Sequence, residues 1–220
     1  MFSCHYIISK KKGFLNGFIT VVNKECLDLA LEFKEKNFNP CLLNMASEIS
    51  PGGGYKVGSA AQEESLFRRT CLHLALDRSY YPLDNYSGLY TPDVVVISEN
   101  EVNNYKYYLT PKTMSIITLA AINLKKYKLS YNKIINITTK KIETIFKIAI
   151  LNNHDSIILS AFGCGAYEND PTLIANIFKD VIYNNNYKSY FKHICFAIIE
   201  DNNSEKHGGN LKIFKNILES

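Results

Sequence analysis

"LLNMASEISPGGGYKVGSAAQEESLFRR", Leu42–Arg69, is the stretch from which the rest of the chain can be read. It opens with an apolar run that reads as a buried strand and ends at Asn44. Pro51 and the triplet Gly52, Gly53, Gly54 follow, a loop signal. Seven residues intervene between the triplet and Gln62, Glu63 and Glu64. From Gln62 to Leu76, the apolar residues Leu66, Phe67, Cys71, Leu74 and Ala75 recur at helical spacing. The order is strand, glycine loop, helix, with two adjacent carboxylates at the helix start. A Glu–Glu pair there is by itself ordinary, since acidic groups complement the positive end of a helix dipole. The glycine triplet just ahead of it, where backbone can approach a ligand with no Cβ in the way, calls for a further explanation.

The elements on either side alternate. Gly17–Val22 is β-branched and reads as a strand, and the following segment to Asn37 reads as a helix, with Asn23 available as its cap. Downstream, Asp93–Ser98 reads as a strand set off by Pro92, and Met114–Ile122 as another. Ser130–Asn153 has the pattern of a long amphipathic helix. A strand from Ser156 runs into a second glycine loop, "FGCGAYEND", Phe162–Asp170. Pro171 then sits where a helix tolerates it best, in the first turn. Phe191–Glu200 reads as a buried strand and Asn210–Leu218 as a closing helix. Strands alternating with helices predict an α/β fold with a largely parallel sheet. In such sheets ligands sit at the carboxyl ends of strands. Both glycine loops fall there, which suits a diphosphate-bearing ligand cradled by backbone N–H groups. Neither loop is a Walker A, and neither is a clean G-x-G-x-x-G.

Composition bounds the function. The chain has 220 residues, 46% hydrophobic and 21% charged, with a net charge of +4. That predicts one globular domain. No apolar run reaches the roughly 20 residues of a membrane span. The start, "MFSCHYIISKKKG", has the reverse order of a secretory signal, so an intracellular, cytoplasmic protein is expected. The six cysteines, Cys4, Cys26, Cys41, Cys71, Cys164 and Cys195, contain no C-x-x-C pair and read as reduced thiols. His5, His73 and His207 have no metal-site spacing. Basic clusters at Lys10–Lys12 and Lys125–Lys128 suit an anionic ligand, whereas nucleic-acid binding would need a denser basic face. Cys164 with His154 or His193 invites a Cys–His hydrolase reading. The spacing does not fit a nucleophile elbow, and His193 lies in an apolar strand where a core histidine is the simpler reading.

The quoted stretch resembles the signature of the poly(ADP-ribose) glycohydrolase macrodomain family, in its short, microbial-type branch. That signature is a glycine triplet, a short spacer and Gln-Glu-Glu. "YYP" (Tyr80–Pro82), "YTPDVVVISENE" (Tyr90–Glu101) and "LSAFGCGAYENDP" (Leu159–Pro171) follow in the family's order. The resemblance covers Gly17 to the C-terminus and leaves residues 1–16 as an N-terminal extension. It implies a three-layer α/β/α macrodomain with a mixed, largely parallel central sheet over residues 17–220. It also implies hydrolysis of the ribose–ribose O-glycosidic bond of poly(ADP-ribose), releasing ADP-ribose from the chain end. No cofactor and no metal are implied, and no membrane or direct nucleic-acid partner. A monomer is expected.

Residue by residue, the resemblance makes Glu64 the general acid and then the base for water, with Glu63 holding ribose hydroxyls. Asn44 and Gly52, Gly53 and Gly54 meet the terminal ribose, and Gln62 supports the loop and helix start. Gly163, Cys164, Gly165 and Ala166 form the diphosphate loop, and Tyr167 packs on the adenine or is an ordinary surface tyrosine. Asn169 and Asp170 shape that loop and cap the next helix. Neighbours on a helix point about 100° apart, so the two glutamates cannot address one atom from one side. Their like charges should raise the pKa of one carboxyl. The family often has a second asparagine where this chain has Ser47, which shortens a hydrogen-bonding arm. Two alternatives stand beside the glycohydrolase: a non-catalytic ADP-ribose reader, and a hydrolase of mono-ADP-ribose on protein or nucleic acid.

Overall fold

The computed structural model describes residues 17–200 and 208–220. The extension at 1–16, with Lys10–Lys12, Cys4 and His5, lies outside these, as does His207. The strands are β1 (Phe18–Val22), β2 (Pro40–Met45), β3 (Leu89–Ser98), β4 (Tyr107–Leu119), β5 (Ser156–Leu159) and β6 (His193–Ala197). The helices are α1 (Cys26–Glu35), α2 (Gln62–Arg69), α3 (Leu72–Ala75), α4 (Tyr131–Leu151), α5 (Pro171–Asn184) and α6 (Asn210–Leu218). The strands form one six-stranded sheet in the order β1-β6-β5-β2-β4-β3. All neighbours are parallel except β3, which runs antiparallel to β4 at the edge.

Central strands buried on both faces need apolar residues at every position, and β2 has them in Cys41, Leu42 and Leu43. Alternate side chains then feed separate cores. Cys41, Leu43, Ile157 and Leu159 pack with Ile142, Phe146, Ile174 and Phe178 from α4 and α5 and with Phe214 from α6. Leu42, Ile116 and Ile158 pack with Leu27, Ala30, Leu66, Phe67 and Leu72 from α1, α2 and α3. The result is the three-layer α/β/α arrangement with a mixed, largely parallel sheet that the sequence predicts.

Several boundaries differ from expectation. The helix expected over Gln62–Leu76 is broken after Arg69, where Thr70 turns extended and bridges to Val96. The Thr70 hydroxyl donates to the Leu66 carbonyl, satisfying an end that the helix leaves open. Helix α1 is capped by Glu25, whose carboxylate accepts from the Asp28 N–H, and not by Asn23. The Asn23 side chain accepts from the Glu200 N–H instead. Strands β3 and β4 both begin earlier than expected. Pro92 lies inside β3, at a register shift between Thr91 and Val94. An edge strand with a bulge is where a missing N–H costs least. Asp170 caps α5 through the Thr172 N–H, with Pro171 in the first turn, as expected.

Candidate active site

Strands β2, β4 and β5 are adjacent and parallel, so the segments leaving their carboxyl ends share one edge of the sheet. That edge carries the first glycine loop after β2, Ala120–Ile122 after β4, and the second glycine loop after β5. Helix α2 starts there. Gln62 fixes it in register with β2: its amide accepts from the Met45 N–H at 2.9 Å and donates to the Leu43 carbonyl at 2.6 Å. Both ends of that amide are therefore used by main chain, and Gln62 serves by support.

At the other end of α2, two arginines hold the helix. Arg68 donates to the carbonyls of Tyr55 and Ser59 and so closes the far side of the glycine loop. Arg69 is fully buried and forks onto Glu25 at 2.7 Å and Asp28 at 2.5 Å. This buried pair of contacts ties α2 to the first turn of α1.

Between these anchors the two glutamates are bonded differently. Glu63 uses both carboxylate oxygens on backbone N–H groups: Oε2 accepts from Ser47 at 2.7 Å and Oε1 from Gly52 at 3.0 Å. Glu64 uses one: Oε1 accepts from the Gly54 N–H at 3.0 Å, while Oε2 is buried with no partner among the described residues. Burial pushes the Glu63 carboxyl up to about 7, against the pull of the Ser47 and Gly52 N–H groups. The charge of Glu64 adds to the rise, but less than burial does, so the expected like-charge effect is the smaller cause. Asn44 is fully buried; its amide N–H donates to Thr118 Oγ1 at 3.3 Å and its Oδ1 has no partner among the described residues.

The glycine loop closes over these carboxylates because it has no side chains. Gly52 and Gly53 sit at φ +77° and +51°, the left-handed region. A Cβ on Gly52 would enter the Phe67 ring, 2.4 Å from its nearest carbon. A Cβ on Gly53 would stand 2.5 Å from Glu64 Oε1. Gly54 delivers its N–H to Glu64 directly.

In the second loop the Cys164 thiol is buried under the backbone, its pKa pushed well up by burial. It can offer a ligand only main chain. His154 is bonded to Tyr90 Oη and the Asn39 carbonyl, and His193 packs among Phe18, Phe33 and Phe38. A Cys–His nucleophile pair has no support in this arrangement. Gly165 and Ala166 are exposed, and Gly163 is held from behind by the Asn169 side chain, which donates to its carbonyl at 3.0 Å. Tyr167 reaches across to the first loop, its hydroxyl accepting from the Glu48 N–H at 3.0 Å. That tie sets the hydroxyl on the Ser47–Glu48 turn and fixes the ring between the two loops. Ser47 contributes its main-chain N–H to Glu63, so the missing asparagine side chain leaves the Glu63 clamp intact. Tyr81, which sequence reasoning noted only as part of "YYP", has a buried hydroxyl within range of the Glu63 charge. Among the described residues no group of His, Cys, Asp and Glu could hold a metal ion, and no helix is long and apolar enough to cross a membrane.

Comparison with known proteins agrees with this fold. Residues 8–103 match the family model described as microbial-type PARG, catalytic domain, PARG being poly(ADP-ribose) glycohydrolase. No curated protein sequence matches the chain. The structure is similar to that of poly(ADP-ribose) glycohydrolase from Deinococcus radiodurans in complex with ADP-ribose, at 25% identity and a TM-score of 0.81 over 94% of this chain and 85% of that one. It is also similar to the Thermomonospora curvata enzyme bound to the inhibitor ADP-HPD, at 22% identity and a TM-score of 0.78 over 90% and 78% of the two chains. The chain thus carries the microbial-type catalytic-domain signature in its N-terminal half and the glycohydrolase macrodomain fold over nearly its whole length.

Proposed function

We propose that this chain is a microbial-type poly(ADP-ribose) glycohydrolase, a reading supported by the family match and the fold, and that it hydrolyses the ribose–ribose bond at the end of a poly(ADP-ribose) chain. The observation that carries the reading is the unequal bonding of Glu63 and Glu64. A proton donor needs an oxygen that is not already committed, in a site where a partner is missing. Glu64 Oε2 meets that description. Its other oxygen, pinned by Gly54, fixes the direction in which the free one points.

The reaction follows from these roles. Cleavage of the glycosidic bond develops positive charge on the terminal sugar, and the departing oxygen must gain a proton. Glu64 gives that proton from Oε2. The resulting carboxylate then takes one from the attacking water, which bonds to the anomeric carbon, and Glu64 returns to its starting form. Glu63, acceptor on both oxygens, has lone pairs left for hydroxyls of the same ribose. Asn44 Oδ1 offers a further acceptor. The second glycine loop, with exposed backbone at Gly165 and Ala166, receives the diphosphate. Tyr167 walls the ribose end, held by Glu48.

Incubation with end-labelled poly(ADP-ribose) tests the reading. Release of ADP-ribose by the wild type supports it. Binding of ADP-ribose with no release leaves a reader, and release only from mono-ADP-ribosylated protein moves the substrate to that class.

A further inference from the structure

Tyr81 carries a buried polar atom to which the roles above give no task. Tyr81 follows the short turn Arg78–Tyr80, and its hydroxyl is out of solvent with no hydrogen-bond partner among the described residues. A buried hydroxyl left unpaired costs about 1–3 kcal/mol, so a chain that keeps one has a use for it or a ligand to fill it. The loop that carries Tyr81 is tied to the first glycine loop: the Leu83 N–H donates to the Glu48 carbonyl at 2.8 Å. The residue before Glu48, Ser47, donates to Glu63. Tyr81 is thus held on the same support as the Glu63 carboxylate. That carboxylate's charge adds to burial in keeping the phenol protonated, and so able to donate.

Asn44 at the end of β2 and Glu64 in the first turn of α2 each keep an oxygen that has no partner among the described residues and offers acceptor capacity. A sugar hydroxyl that donates to Glu63 still has lone pairs, and these need a donor. We propose that Tyr81 is a substrate-contacting residue whose phenol O–H donates to a hydroxyl of the terminal ribose, the sugar that Glu63 holds. This rests on the glycohydrolase reading, because it takes the ribose to lie at Glu63.

The test compares wild type with Tyr81→Phe, which keeps the ring and removes only the hydroxyl, by calorimetric titration with ADP-ribose and with ADP. ADP lacks the terminal ribose and serves as the internal control. The variant should bind ADP-ribose roughly threefold to tenfold more weakly, the worth of one neutral hydrogen bond, and bind ADP as the wild type does. Its unliganded thermal midpoint should be unchanged or higher, since an unpaired buried group has gone. Equal ADP-ribose affinities overturn the inference, as does an equal loss for both ligands, which would mark Tyr81 as a packing residue. A wild type that binds neither ligand overturns the glycohydrolase reading itself, and the two failures are thereby told apart.

Discussion

A Cβ on Gly53 would lie 2.5 Å from Oε1 of Glu64 and 3.3 Å from Oε2 of Glu63. The bare backbone at Gly53 is therefore a packing requirement of the two carboxylates, independent of any ligand. Gly53→Ala forces the Glu64 carboxylate to move, at a backbone φ of +51° that alanine also resists. We expect turnover of poly(ADP-ribose) to fall on the order of a hundredfold, as for other small displacements of reacting groups. The fold should survive, with the melting temperature lowered by only a few degrees. Steady-state rates and circular dichroism melts of the variant check both halves; full activity would mean that Glu64 need not stand where it does.

Much of this arrangement was legible in Leu42–Arg69. A strand ending at Asn44, a loop that only glycine could form and a helix opening on Gln62 are all local patterns, and local patterns survive folding. The helix break was not legible, because Thr70 leaves α2 to bridge to Val96, a contact with β3 that no helical spacing announces. The starts of β3 and β4 were hidden by Pro92 and Pro111, which argue against central strands. Both prolines lie in the β3–β4 arm, where β4 before Ser115 has no β2 partner, and there they are tolerated. In the site, the residue types of Glu63 and Glu64 could be read but not their different bonding, which depends on N–H groups of Ser47, Gly52 and Gly54. Tyr81 carried no signal beyond its place in "YYP", since its burial is set by a loop that folds back onto Glu48.

The pH dependence of ligand binding should follow Glu63. Its carboxyl is pushed up to about 7, and only the ionised form is an acceptor on both oxygens. ADP-ribose affinity should fall about tenfold from pH 8 to pH 6, and the dependence should disappear in Glu63→Gln. Titration calorimetry at several pH values measures it. A flat profile in the wild type would contradict the role given to Glu63.

Stability should respond to pH with two opposite slopes. The Glu63 carboxyl has a folded pKa near 7 against an unfolded value of 4.5, so the native state holds the extra proton between those values. Stability therefore falls as pH rises from 4.5 to 7. Lys141 is buried, donates to the Ala120 carbonyl at 2.9 Å, and is pulled down to about 8 from 10.5 chiefly by burial. The unfolded chain holds the extra proton in that window, so stability rises from pH 8 to 10.5. Each shift corresponds to about 3 kcal/mol at most. Urea midpoints across pH should lose the acid-side slope in Glu63→Gln and the alkaline slope in Lys141→Met. Slopes that persist in these variants would assign them to other groups.

Arg69 should prove to be the anchor of α2. Its guanidinium is fully buried between Glu25 and Asp28, and removal of one partner of a buried ion pair leaves charge uncompensated. Arg69→Ala should cost about 3–5 kcal/mol, read as a lower urea midpoint, and should lower turnover by loosening the helix that carries both glutamates. Exposed Lys24, paired with Glu32 on the surface, offers the control: Lys24→Ala should cost less than about 1 kcal/mol. Similar losses for the two variants would contradict the anchoring role.

The central claim is that the uncommitted oxygen of Glu64 supplies the proton that breaks the glycosidic bond. The most direct measurement is the rate of ADP-ribose release from poly(ADP-ribose) by wild type and Glu64→Gln, with ADP-ribose affinity measured on the same preparations. The account predicts a loss of rate on the order of a thousandfold, within the range expected for removing a general acid, and an affinity changed by no more than about threefold. A Glu64→Gln protein that releases ADP-ribose at the wild-type rate would contradict it.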